Sequence, residues 1–140
     1  MICDFGVEKW GKTGTLLRLI DVLEQHKHKT RKEKLNSEDV YAVCKIENKT
    51  IAVVTFGDPS KHFEEYLNVP IKEDADIIVC ASRTKGNTAD MVYRLASENE
   101  YQLVWFSNYH VEEDDGTLKH IIMDGMAECL YLLICKLIIK

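Results

Sequence analysis

Ile2-Cys3-Asp4-Phe5-Gly6-Val7-Glu8-Lys9-Trp10-Gly11-Lys12-Thr13-Gly14 joins a short β-forming run to a helical one. The helical run, Thr15 to Gln25, sets Leu16, Leu19, Ile20 and Leu23 at helical spacing, and Leu17 and Val22 widen the stripe. Between the two, Gly6 to Thr13 fits G-x-x-x-x-G-K-[ST] without a mismatch. A loop bounded by glycines turns successive backbone N–H groups inward at a helix N-terminus, where the helix dipole also favours an anion. Lys12 in such a loop reaches phosphate oxygens, and the Thr13 hydroxyl ligates Mg²⁺. The stretch predicts a strand, a phosphate-cradling loop and a helix in that order.

Working outward, His26 to Asn36 is basic and carries one apolar residue, Leu35, so it reads as a loop. Val40 to Ile46 and Thr50 to Phe56 are β-rich runs around Glu47-Asn48-Lys49 and predict an antiparallel hairpin. Asp58-Pro59-Ser60 opens a helix carrying Phe63, Tyr66 and Leu67. Asp76 to Ala81 is continuously apolar after its first residue, as in a strand buried on both faces. Asn87 caps a helix to Ser97 with Met91, Val92, Leu95 and Ala96 as its stripe, and Tyr101 to Phe106 is a further strand. A turn from Glu112 to Gly116 precedes a long apolar helix within Leu118 to Lys140. Strands alternating with helices predict one three-layer α/β domain over residues 1–140. Its sheet is expected to be mainly parallel and five-stranded, with Val40 to Ile46 running antiparallel at an edge.

The chain has 140 residues, 46% of them hydrophobic and 29% charged, with 2 Pro. That composition excludes a disordered or proline-rich linker protein, and the length suffices for a real core. A formal net charge of -5 supplies no global basic field and argues against nucleic acid as the partner. The 5 Cys include no C-x-x-C, so they predict buried thiols in a reducing compartment rather than a disulfide framework or zinc site. The first residues lack a basic region followed by an apolar one, and the C-terminal apolar run carries Lys136 and is short for a bilayer. A cytoplasmic protein with no membrane partner is the expectation.

Through Gly6, Gly11, Lys12 and Thr13 the chain resembles the P-loop NTPase superfamily, most strongly over its first 25 residues or so. The resemblance implies binding of a nucleoside triphosphate, ATP or GTP, with Mg²⁺ at the C-terminal ends of the strands. The hairpin after the first helix is similar to that of the GTPase branch. Gly57-Asp58-Pro59 and Ser82-Arg83-Thr84-Lys85-Gly86 are similar to small uncharacterised ATP-binding proteins of bacteria and their mobile elements. Three features depart from the family pattern: the first strand is short and contains Asp4, Gly14 follows Thr13 where a Ser or Thr is common, and no carboxylate ends the run Ile51 to Val54. Gly14 costs about 1 kcal/mol relative to Ala in a helix, so close approach of a ligand or backbone is expected there.

Thr55 stands where a GTPase carries its metal-supporting Asp, which makes Asp58 the nearest candidate. Asp58 either holds a Mg²⁺-bound or attacking water, or caps the helix that Pro59 begins. Arg83 and Lys85 either neutralise charge developing on the γ-phosphate or line a solvated loop. Asn108 matches the first position of the guanine-reading N-K-x-D sequence, but no Asp follows at the right distance, so ATP is favoured over GTP. Trp10 either stacks on a base or shields the site. The basic stretch from Lys27 to Lys34 reads as a solvated loop, since no aromatic residues interleave to stack bases. The nearly all-apolar Leu130 to Ile139 packs on the sheet or forms a homodimer contact.

Two functions follow. One is Mg²⁺-dependent NTP binding with hydrolysis or transfer of the γ-phosphate, in which Lys12, Asp58, Arg83 and Lys85 act on the reaction. Gly6, Trp10, Gly11, Lys12, Thr13, Gly14 and Asn108 hold the nucleotide, and Thr13 and Asp58 hold the metal. The other is a nucleotide-responsive regulatory or interaction module with little or no catalysis; beside both stands a phosphate-loop fold that no longer binds nucleotide.

Overall fold

Successive side chains along the central strands point to opposite faces of one sheet and divide the buried apolar residues into two clusters. The computed structural model describes residues 1–5, 12–57, 62–82, 87–107 and 116–139. They form β1 (Ile2–Phe5), α1 (Lys12–Gln25), β2 (Thr30–Lys34), β3 (Val40–Ile46), β4 (Lys49–Val54), α2 (His62–Lys72), β5 (Ile77–Ser82), α3 (Asn87–Glu98), β6 (Val104–Phe106) and α4 (Thr117–Ile139). The strands hydrogen-bond in the order β2-β3-β4-β5-β1-β6.

On one face, Leu16, Leu19, Ile20 and Leu23 of α1 and Ala127, Leu130 and Ile134 of α4 pack against Ile2, Ile51, Val53, Val79 and Ala81. On the other, Phe63 and Leu67 of α2 and Val92, Leu95 and Ala96 of α3 pack against Cys3, Ala52, Val54, Ile78 and Cys80. The result is three layers of an α/β fold, as the alternation of elements predicts. Each fully buried Leu, Ile or Val contributes on the order of 1.5–3 kcal/mol, so the two helix pairs hold the sheet from both sides.

Two features of the sheet differ from expectation. It has six strands, because Thr30–Lys34, inside the basic stretch expected to be a loop, pairs antiparallel with Val40–Cys44. And β3, which runs against the other five strands, is flanked by β2 and β4; the edges are β2 and β6. The apolar alternation that announces a half-buried strand is missing from β2, whose residues beyond Thr30 are all exposed. Its two-residue period is expressed in charge instead. Arg31 reaches Glu73 beyond α2 at 2.9 Å, and Lys32 reaches Glu24 of α1 at 2.8 Å on the opposite face. Charged side chains suit an edge, where a strand must avoid recruiting another chain.

The β3–β4 hairpin forms as expected, but its turn is shorter than Glu47-Asn48-Lys49: Lys49 already pairs with Ile46, and Glu47 and Asn48, at φ 49° and 74°, are the left-handed pair that a two-residue turn requires. The last strand is shorter than Tyr101 to Phe106. Tyr101 leaves the ladder and its hydroxyl donates to the carbonyl of Ala75 at 2.5 Å. No helix among the described residues is long and apolar enough to cross a membrane.

Candidate functional site

Five strands run the same way, so the chain leaves β1, β4, β5 and β6 at a single rim of the sheet. Phe5, Gly57, Ser82 and Ser107 are the last described residues at these four exits. Gly6, Asp58, Arg83 and Asn108 follow them directly. These four, with Trp10, Gly11 and Lys85, lie outside the described residues. Because β3 is antiparallel, its N-terminal end, with Asp39 just before it, reaches the same rim.

Lys12, Thr13 and Gly14 form the first turn of α1, which begins at this rim and directs the positive end of its dipole there. Lys12 is half-buried and Thr13 is exposed. The Thr13 hydroxyl donates to the carbonyl oxygen of Thr55 at 3.4 Å. This brings the last position of the glycine–lysine–threonine motif to the end of β4, although β5 separates β4 from β1 in the sheet. At the same exit Gly57 lies hard against β5: a Cβ there would stand 2.8 Å from Cβ of Ala81 and 3.0 Å from its carbonyl carbon and oxygen. Only glycine lets the backbone preceding Asp58 pass this close.

Gly14 also answers to close packing, and its neighbour is α4. A Cβ on Gly14 would collide with Sδ of Met123 and stand 3.2 Å from Nη1 of Arg18. Arg18 ties the two helices together, with Nε donating to Asp124 at 2.7 Å and Nη1 to the carbonyl of Gly14 at 3.1 Å.

Three rim residues were not assigned roles from sequence. Thr55 is fully buried, and its hydroxyl donates to Oδ1 of Asp39 at 2.9 Å while accepting from the amide of Val40 at 3.0 Å. Asn36 donates to the other Asp39 oxygen at 3.2 Å, so this carboxylate is locked by its neighbours. Nothing in sequence links Asp39 to a threonine 16 positions away, since antiparallel pairing alone brings them together.

Asp4 is the third. It is fully buried, and neither carboxylate oxygen has a hydrogen-bond partner among the described residues. Burial pushes its pKa up to about 7, while the positive charge of Lys12 pulls it down. A carboxylate inside the apolar run before the motif was the visible signal. On β5, Ser82 pairs in register with Phe5 and donates to Oγ1 of Thr88 in α3 at 3.2 Å, adding hydroxyls to the rim.

The rim thus offers a helix N-terminus, a lysine, an exposed threonine hydroxyl and carbonyl oxygens. These are the hard oxygen donors that Mg²⁺ prefers and the N–H donors that phosphate prefers. No group of three or more His, Cys, Asp or Glu side chains that could hold a metal by themselves occurs among the described residues. The sequence matches no protein-family model and no curated protein.

Proposed function

We propose that the chain binds a nucleoside triphosphate with Mg²⁺ at this rim and hydrolyses or transfers its γ-phosphate. The observation that carries the reading is the approach of the Thr13 hydroxyl to the Thr55 carbonyl at 3.4 Å. It sets the helix N-terminus bearing Lys12 beside the strand exit from which Asp58 follows, and a triphosphate with its metal needs both. Lys12 neutralises the β- and γ-phosphates, Thr13 and Asp58 hold Mg²⁺, and Arg83 or Lys85 offsets charge on the transferring group. Gly6 and Gly11 keep the loop close to the phosphates, Gly14 lets α4 pack against the helix start, and Trp10 and Asn108 meet the base. Mg²⁺, when bound, would supply positive charge to offset that of the phosphate groups. ATP is favoured over GTP because the guanine-reading sequence at Asn108 is incomplete.

A second reading is a nucleotide-responsive module that turns over slowly and signals through α4. Two observations favour it. β4 runs out at Thr55 without a carboxylate, and α4 leaves Leu118, Ile121, Leu132 and Ile139 exposed, a face fit for a homodimer contact. Arg31 and Lys32 are engaged by Glu73 and Glu24, which supports a structural rather than a nucleic-acid-binding role for the basic stretch. The thiols of Cys3, Cys44 and Cys80 are free and buried, in keeping with a cytoplasmic setting.

Thermal unfolding with Mg²⁺ and ATP, GTP or their diphosphates tests the binding. A ligand at about 100 times its Kd stabilises the fold by roughly 2.7 kcal/mol. We expect a shift with a triphosphate that Lys12→Ala abolishes, and no shift with any nucleotide overturns the proposal. Phosphate release by the wild type, compared with Lys12→Ala, then separates the enzyme from the module; equal rates reject catalysis.

A further inference from the structure

The outer face of α4 carries more than apolar surface: its residues complement one another. Met123, Ala127, Leu130 and Ile134 are buried and turn one side of the helix to the body of the fold. At about 3.6 residues per turn, the opposite side is formed by Gly125, Glu128, Leu132, Lys136 and Ile139, and all five are exposed. Leu132 is 57% exposed and Ile139 81%. Large apolar side chains this open, aligned along one helix, mark a surface that meets another.

Gly125 is a notch in that surface. Nothing lies within 4 Å of the position its Cβ would take, and it borders a groove of about 360 Å³ between α1 and α4. Ile139 supplies a knob. Glu128 and Lys136 supply opposite charges, and neither has an ion pair among the described residues. Their spacing ties the four together. Gly125 and Ile139 stand seven positions to either side of Leu132, and Glu128 and Lys136 stand four positions to either side of it. A second copy of α4, laid antiparallel about a two-fold axis at Leu132, therefore brings Ile139 to Gly125 and Lys136 to Glu128, each twice, and Leu132 to Leu132.

We propose that two copies of this chain associate through α4, antiparallel about a two-fold axis at Leu132, with Ile139 of each copy seated on the partner's Gly125 and Lys136 of each beside the partner's Glu128. The missing side chain at Gly125 lets the two backbones come close where the knob enters. Charge selects this arrangement over its neighbours. Moving the axis to lie between Glu128 and Cys129 would also cover Leu118 and Ile121, but it sets Glu128 against Glu128, and so does a parallel pairing in register. One helix face makes a small contact, so the pair forms in concentrated solution and parts on dilution. The association is independent of nucleotide binding at the rim.

Sedimentation velocity of the full chain over a range of concentrations tests the pairing. We expect a monomer that converts reversibly to a dimer as concentration rises. Glu128→Lys and Lys136→Glu, both at exposed positions, should each raise the dimer dissociation constant about tenfold, because each turns two attractive pairs into repulsive ones. The double variant Glu128→Lys with Lys136→Glu should restore the wild-type value, a rescue that neither arrangement opposing Glu128 to itself would give. Leu132→Asp sets two carboxylates on the axis and should remain monomeric throughout. A wild type that stays monomeric at every concentration, a dimer indifferent to either reversal, or a double variant no better than the singles overturns the inference and leaves the nucleotide reading standing. If a charge variant does not fold, a dimer of Leu132→Asp as tight as the wild type's overturns it.

Discussion

The hydroxyl of Thr55 donates to Oδ1 of Asp39 at 2.9 Å, and both groups are buried where the β3–β4 pair meets the rim. Because the same hydroxyl accepts from the Val40 amide, Thr55→Val strands two polar groups at once. The expected loss is about 1–3 kcal/mol in urea unfolding. Thr55→Ser keeps the hydroxyl and should retain most of the stability. The carbonyl that Thr13 reaches belongs to this residue, so Thr55→Val should also blunt stabilisation by ATP with Mg²⁺. A Thr55→Val protein as stable as the wild type refutes the hydrogen-bond account.

Two glycines should respond to alanine with opposite signs. Gly57→Ala drives a Cβ to within 3.0 Å of the Ala81 backbone, which has no room to yield, and should cost about 1–3 kcal/mol. Gly125 lies on the exposed side of α4 with nothing within 4 Å of its missing Cβ. Gly125→Ala should therefore stabilise the chain by about 0.5–1 kcal/mol through helix propensity. Thermal melts of the two variants in one buffer check both expectations. A melting temperature lowered by Gly125→Ala would mean that this face of α4 is covered in solution.

The buried acid sets a pH trend. An Asp ordinarily titrates at 3.8, and Asp4 titrates at about 7 in the folded chain. Below the ordinary value the group is neutral whether folded or not. Between the two values the unfolded chain has released its proton while the folded chain keeps it, so stability falls as pH rises, by at most about 1.4 kcal/mol per pH unit. Above about 7 the penalty is constant. Denaturation midpoints across this window should slope downward in the wild type and flatten in Asp4→Asn. Lys12→Ala, which removes the charge that favours the carboxylate, should extend the slope to higher pH. Parallel profiles for wild type and Asp4→Asn would show that Asp4 does not titrate there.

Glu73 gives the opposite trend. The Tyr41 hydroxyl donates to it at 2.6 Å, and Arg31 donates to both of its oxygens at 2.9 and 3.0 Å. Tyr41 first, then Arg31, hold its carboxyl below the usual range. Its contribution is therefore present above the ordinary glutamate pKa and is lost as pH falls through the lowered one. Glu73→Gln should speed amide hydrogen exchange across β2 near neutral pH, and the difference from wild type should shrink in acid. Unchanged exchange in β2 would show that the Glu73 contacts do not hold the edge.

Much of this fold is legible in the chain itself. Ile77–Ser82 reads as a central strand because residues facing both helix layers must be apolar, and α1 and α3 announce themselves by their stripes. β2 does not, because its faces are satisfied by ion pairs rather than by a core, and periodicity searches follow hydrophobicity. The order of strands is equally silent. Nothing local says that β1 inserts between β5 and β6, since that is decided by which helices share a face. α4 is apolar nearly all round, yet only Met123, Ala127, Leu130 and Ile134 are buried, so composition overstated its burial. At the rim, Lys12 and Thr13 are readable from spacing, whereas the Thr13–Thr55–Asp39 chain depends on residues far apart in sequence.

The salt-laden border made by Arg31, Lys32, Glu33 and Lys34 governs how copies of this molecule can meet. A second chain approaching sideways would have to strip water from four ionised groups before forming one ladder bond, and like charges would oppose it. Lateral growth into ribbons or fibrils is thereby discouraged at that margin, and helical surfaces remain the easier route for self-association.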